Sequence, residues 1–148
     1  MPAVSVRLRY QSTKYLVKET IMKIFMSALA ITMMFSGLAF AELPSATDAT
    51  VRQALSSGKP AVIDLGARYC HQCKKMAPIL ESLAGEYQGR ASVMFIDAHK
   101  DEAAAEKFKV VMIPTQIFFN AQGKEVKRHI GFMDKEDIVK ELKALGVK

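Results

Sequence analysis

The sequence predicts an α/β domain built on a central mixed sheet of about four strands, with helices on both faces and a targeting segment in front. Three observations predict it. Two short, nearly continuous apolar runs, Pro60–Gly66 and Ala91–Asp97, flank a segment with helical periodicity. A pair of strand-like runs then surrounds the loop Asn120-Ala-Gln-Gly-Lys124. Finally, half of the 148 residues are hydrophobic and 24% are charged, which suits one packed domain and argues against disorder.

Taken in order, Thr47/Asp48 opens a helix in which Val51 and Leu55 repeat at i, i+4, with Gly58 as its stop. Pro60–Gly66 reads as a strand buried on both faces. A helix follows from about Cys70 to Tyr87, with Ala77, Leu80, Leu83 and Ala84 facing inward, and Pro78 is expected to kink or break it. Ala91–Asp97 is the second strand. Asp101 caps a short helix with Ala104, Ala105 and Phe108 turned inward. Thr115–Phe119 and Glu125–Ile130 form an antiparallel hairpin, and Asp134–Leu145 closes the chain with Ile138, Leu142 and Leu145 on one stripe. A helical crossover makes the first two strands parallel neighbours.

The front of the chain reads as an address. Ile24–Ala41 is an uncharged run of 18 residues that follows Lys23 and ends in Ala39-Phe40-Ala41, a small-x-small exit before Glu42. Residues 22–41 are therefore expected to be a signal peptide, with an uncleaved inner-membrane anchor as the alternative. No Cys follows the run, which argues against a lipid anchor. Residues 1–21 are either a long basic leader or an over-extended start, because Met22-Lys23 would itself open an ordinary signal. They are expected to be disordered or absent from the working protein. The folded domain spans 42–148 and is expected in the periplasm or otherwise exported, where thiols tend to be oxidised.

Charge excludes one function class. The formal net charge is +6, but Arg7, Arg9, Lys14, Lys18 and Lys23 against Glu19 place +4 of it in residues 1–41. The rest carries 16 basic and 14 acidic side chains, so a nucleic-acid partner loses its support.

One motif carries the chemistry: Cys70-His71-Gln72-Cys73. It follows a buried strand and occupies the first turn of a helix. Cysteines at i and i+3 share a helical face, close enough for a disulfide. The free N–H groups and positive dipole end of the helix stabilise a thiolate at Cys70, and the thiolate is the species that attacks a disulfide. Cys73, one turn deeper, is placed to resolve the mixed disulfide.

Two other readings compete. A structural staple closing so small a ring contributes only about 2 kcal/mol. A metal site needs two more ligands, with only His71 and His99 near; five of the nine Met lie in residues 1–41. Asp64, inside the apolar run, should be costly to ionise and have a raised pKa, which marks a proton relay; the plain alternative is an Asp that reaches solvent or caps a loop. Protonated His71 beside Cys70 would favour the thiolate and make the couple more oxidising, or His71 is an exposed spacer. Lys74-Lys75 either steers an acidic partner or is a solvated face. His99 and His129 show no partner and are expected in loops or on the surface.

Tyr69-Cys70-His71-Gln72-Cys73-Lys74 through Ala77-Pro78, with Asp64 six residues before the first Cys, resembles the active-site segment of the thioredoxin superfamily. Ile113-Pro114-Thr115 is similar to its cis-proline loop, and Gly123 and Gly131 to its later glycines. The likeness covers about 51–147. The stretch from Ile113 to Asp134 further resembles exported thioredoxin-like proteins and, more loosely, the periplasmic C-terminal domain of the transmembrane disulfide reductase.

The resemblance implies a thioredoxin fold. It also implies that Asp64 lies beneath Cys73 and shuttles its proton, and that Pro114 is cis and faces the cysteines. Ile113, Pro114, Thr115 and Tyr69 would then border a substrate groove; without the resemblance, Pro114 would be a trans edge-strand proline. Departures are the His71-Gln72 pair for Gly-Pro, Tyr69 and Gly66 where the family carries Trp, and Val93 where many members carry Lys.

The sequence thus predicts an exported thiol–disulfide oxidoreductase whose cysteine pair is its only redox group, without metal or nucleotide. It would act as a monomer on exported proteins with thiols or disulfides, apocytochrome thiols awaiting haem among them. Electrons would come from a membrane conduit, and the reductant direction is preferred. The alternatives are a dithiol oxidant, or a non-catalytic metal-carrying or peptide-binding module.

Overall fold

A computed structural model describes residues 42–148, together with Lys18 and Met22. The expected leader, signal peptide and anchor lie outside the described residues. Along the described chain the elements run α1 (Asp48–Leu55), β1 (Ala61–Gly66), α2 (His71–Glu86), β2 (Ser92–Asp97), α3 (Glu102–Lys107), β3 (Thr115–Phe119), β4 (Glu125–Ile130) and α4 (Lys135–Ala144). The order is the α-β-α-β-α-β-β-α expected from periodicity.

The four strands form one sheet in the order β2-β1-β3-β4. β1 runs parallel to β2, with Asp64 opposite Phe95, and antiparallel to β3, with Asp64 opposite Gln116. β3 and β4 form the antiparallel hairpin. Every residue of β1 and β3 is buried, as inner strands covered on both faces must be. β4 is an edge strand and is largely exposed, with Lys127 and Arg128 to discourage strand addition. The free edge of β2 is covered by the chain before α1: Ala46 N–H donates to the Phe95 carbonyl at 2.7 Å and Asp97 N–H to Ser45 Oγ at 2.9 Å.

Strand alternation sorts the core into two layers. Val62, Val93 and Phe118 meet Met76, Leu80 and Leu83 of α2 and Ile138 and Leu142 of α4 on one face. Ala61, Ile63, Leu65, Ile96, Ile117 and Phe119 meet Val51 of α1 on the other, with Ala104 and Phe108 of the α3 region half-buried against them. The helix stripes expected from sequence supply most of these contacts, with Met76 added, whereas Ala77 and Ala105 are half-buried and lie outside both clusters. Thr47 caps α1 in a reciprocal box with Thr50, and Asp101 accepts from Ala104 N–H at 2.9 Å to start α3.

α2 is not broken at Pro78, which corrects the stronger form of the expectation. Pro78 lies on the exposed side of the helix, where water can satisfy the carbonyl that loses its donor, while Met76, Leu80 and Leu83 hold both halves to the sheet. Gly123 in the hairpin loop has φ +70°, and a Cβ there would sit 2.4 Å from the Leu55 carbonyl oxygen, so conformation and close approach both demand glycine.

Candidate active site

β1 ends at Gly66 and the chain turns through Ala67-Arg68-Tyr69 into α2. Cys70 is the N-cap: its backbone is extended at φ −71°, ψ 129°, and its Sγ accepts from the Cys73 N–H at 3.4 Å. A sulfur takes the place that a Ser or Asp oxygen usually fills, so the free N–H groups of the first turn are directed at the thiol. Both cysteines are unbridged, Cys70 partly exposed and Cys73 buried.

The two thiols are driven apart. Partial burial works against ionising Cys70, but hydrogen bonds from the Cys73 thiol and from the backbone of Cys73 and Gln72 outweigh it, and its pKa is lowered. Burial pushes Cys73 up to about 12, helped by its hydrogen bond with Cys70 and by the negative charges of Cys70 and Asp64. Cys70 is thus the easier of the two sulfurs to ionise, and Cys73 holds its proton.

Asp64 lies two residues before the end of β1 and is 1% exposed. Burial raises its pKa to about 6, against a partial lowering by the Gln116 hydrogen bond, in which Nε2 donates to Oδ1 at 2.7 Å. Its other oxygen, Oδ2, has no hydrogen-bond partner. A Cβ on Gly66 would lie 3.3 Å from this Oδ2 and 3.2 Å from Cys73 Sγ, so carboxyl oxygen and sulfur flank one small space that glycine leaves open.

The remaining sequence candidates fall as follows. Tyr69 is 66% exposed and packs edge-on against His99, ring centroids 5.2 Å apart. His71 is exposed on the first turn of α2. The Ile113–Pro114 peptide is cis, with Pro114 buried and Ile113 half-buried. Thr115 is buried and donates its hydroxyl to the Met112 carbonyl at 2.6 Å, so it fixes the loop from inside. Among the described residues, no group of three or more His, Cys, Asp or Glu side chains is placed to hold a metal ion.

Sequence reasoning misses three features. Gln116 reads there as one residue of a strand, although an amide inside Thr-Gln-Ile-Phe-Phe is an available signal. His99 proves to be the neighbour of Tyr69, and His129 sits 3.1 Å from the Phe132 carbonyl through Nε2. Val111 and Met112, 87% and 62% exposed, form an apolar lip before Pro114.

A thiol prepared at a helix N-terminus, a second thiol one turn deeper and a buried carboxyl beneath it define a dithiol redox protein. Comparison with known proteins agrees. The thioredoxin family model matches residues 42–144, and the chain belongs to the thioredoxin family. The chain is 38% identical over 96 residues to a thioredoxin of Staphylococcus haemolyticus, covering 65% of this chain and 90% of that one. It is also 38% identical over 92 residues to a thioredoxin of Staphylococcus saprophyticus, covering 62% and 86%. Among solved structures, a mutant thioredoxin from Halobacterium salinarum superposes with TM-score 0.63 at 24% identity, over 74% of this chain and 93% of that one. A chloroplastic thioredoxin z gives 0.62 at 21%, over 73% and 97%. At those identities the two structures speak for the fold, which is the thioredoxin fold expected from sequence.

Proposed function

We propose that this thioredoxin-family protein is an exported dithiol reductant of exported proteins, with Cys70 as nucleophile, Cys73 as resolving thiol and Asp64 as the acid–base group. The observation that carries the exchange chemistry, in either direction, is the placement of the pair: Cys70 Sγ caps α2 and accepts from the Cys73 N–H at 3.4 Å, with Asp64 Oδ2 and Cys73 Sγ flanking the space at Gly66. The reductant direction rests on the resemblance of Ile113–Asp134 to the periplasmic reductase domain. Cys70 thiolate attacks a partner disulfide; its S–S bond breaks and one partner sulfur leaves as thiolate. Cys73 then gives its proton to Asp64 and attacks the Cys70 sulfur. The new Cys70–Cys73 bond forms, the second partner thiolate leaves, and two electrons have passed to the partner. Tyr69, Ile113 and Pro114 border the approach, with Thr115 holding the loop, and His71 tunes Cys70 from outside. The cysteine pair is the whole redox centre, with no metal or nucleotide, in a monomer recharged by a membrane electron conduit.

Export is supported by the basic flank, the apolar run Ile24–Ala41 and its Ala-x-Ala exit. Among the described residues no helix is long and apolar enough to cross a membrane. The lowered pKa of Cys70 favours the second reading, a dithiol oxidant, because stabilising the thiolate stabilises the reduced state.

Cys73→Ser tests the mechanism: it should accumulate a mixed disulfide on Cys70, visible by mass spectrometry, and absence of any adduct refutes exchange. The reduction potential against a glutathione buffer decides direction. A value near about −270 mV supports the reductant and one near about −120 mV the oxidant. Mass analysis of protein from a periplasmic fraction tests export and cleavage after Ala41.

A further inference from the structure

We infer that Gln116 is a positioning residue for the proton step: its amide holds Oδ1 of Asp64 so that Oδ2 is the oxygen left to take the proton of Cys73. The inference rests on the dithiol reading above and deepens it. Gln116 is fully buried in an inner strand, between Thr115 and Ile117, where an amide is costly unless bonded. Its register partner across the β1–β3 ladder is Asp64, and among the described residues the 2.7 Å bond between them is the hydrogen bond that each side chain makes. Among the described residues, the buried side-chain polar atoms left without a partner are two, Asp64 Oδ2 and Gln116 Oε1. Both belong to this pair. Native interiors seldom leave such atoms, and a redox or catalytic role is one of the reasons they persist.

An amide suits the task better than a cation. Lys or Arg opposite Asp64 would pull the carboxyl back towards its ordinary value and weaken it as a base. Gln116 donates through Nε2 to Oδ1 of the carboxylate and, with the proton on Oδ2, goes on donating to the same Oδ1, which remains an acceptor in the carboxylic acid. It therefore attends both protonation states without changing the charge of the site. Cys73 S–H loses its proton to Asp64 Oδ2, the Cys73 sulfur attacks Cys70, and the departing partner sulfur carries off the electron pair. No outside reagent is needed.

The groups facing Asp64 are few. α2 presents the thiols of Cys73 and Cys70, and the charge of Asp64 works against ionising both. The register partners on β2 and β3 are Phe95 and Gln116, neither of which titrates. Arg68 lies over the Phe95 ring and is paired with Glu42.

The test uses the full chain, glutathione disulfide as the probe, and four proteins: wild type, Gln116→Met, Asp64→Asn and the double variant. Carbon-13 NMR follows the Asp64 carboxyl, and quenched-flow mass spectrometry follows resolution of the Cys70–glutathione adduct. In Gln116→Met the Asp64 midpoint should rise by about one unit or more, because a hydrogen bond to the charged form is lost. Resolution should slow by about tenfold below pH 6 and recover towards wild type above pH 8. In the Asp64→Asn background Gln116→Met should change the rate less than twofold. Gln116→Glu, in which two carboxyls share a proton, should move the midpoint the same way and serves if the Met variant does not fold. An unmoved midpoint and pH profile, or equal slowing without Asp64, overturns the role of Gln116. A wild type that forms no glutathione adduct overturns the dithiol reading and this inference with it.

Discussion

The two faces of the sheet are built from the same strands yet differ in one respect. Under α1 and α3 the clustered side chains are apolar, and Thr115, on the same face of β3 as Ile117, satisfies its hydroxyl on the Met112 carbonyl. Under α2 the same alternation delivers Val62 and Phe118 to the core but also Asp64 and Gln116, against the buried Cys73. One face only packs. The other gives up apolar burial where β1 and β3 approach the helix N-terminus, and both unpartnered buried atoms of the described residues lie there. Stability and chemistry are thus separated by strand parity, so a one-residue slip of β3 would turn Gln116 away from Asp64 and exchange the two layers.

The largest expected effects test whether both faces carry the fold alike. Phe118→Ala on the α2 face and Ile63→Ala on the α1 face each remove a fully buried side chain, and should cost about 3–5 and about 2–5 kcal/mol respectively in urea denaturation. Neither should alter the pH profile of exchange in the folded protein. A loss below about 1 kcal/mol at either position would mean that its layer is not part of the core.

A smaller effect of opposite sign distinguishes the faces. Asp64 has a pKa near 6 in the fold against 3.8 as its ordinary value. The native state therefore binds the proton more tightly, and the carboxyl costs nothing below about pH 4. As pH rises from there through 6 the unfolded chain gains by ionising first, and stability falls by about 3 kcal/mol in all. Asp64→Asn should remove this slope. Stability measured at pH 4 and pH 8 should show the variant gaining on wild type by about 2–3 kcal/mol at the higher pH. A constant difference across that range would show that Asp64 is not shifted by burial. The proposed proton relay would then account for a destabilising carboxyl on this face.

Much of this division is legible in the sequence, because it follows from local patterns. Pro60–Gly66 and Ala91–Asp97 are nearly unbroken apolar runs, as strands covered on both sides are, and an Asp inside the first stands out at once. Cys70 at a helix N-terminus needs only the strand-turn-helix order to be read as an activated thiol. What escapes is non-local. Gln116 meets Asp64 only because β3 pairs antiparallel with β1 in one register, across 52 residues of chain, and no periodicity within Thr115–Phe119 announces that pairing. The contact of His99 with Tyr69 is hidden in the same way, since the loop after β2 returns to the β1–α2 turn only through the parallel pairing of the strands. Pro78 fails differently. Its local rule holds, but tertiary contacts on both sides keep the helix whole.

The smallest prediction is a control on the α1–α3 side. Asp101 starts α3 by accepting from Ala104 N–H, and Phe108 at the other end of the helix packs edge-on against Phe119 at 6.2 Å. α3 is one of the shorter helices, with no fully buried residue, so it depends on its cap more than on its packing. Asp101→Ala should cost about 1 kcal/mol by urea denaturation and increase amide exchange in 102–108. The reduction potential and the rate of adduct resolution should stay within experimental error of wild type. A shifted potential would mean that strain on the α1–α3 layer reaches the cysteines through β1, and the separation of the two faces would fail.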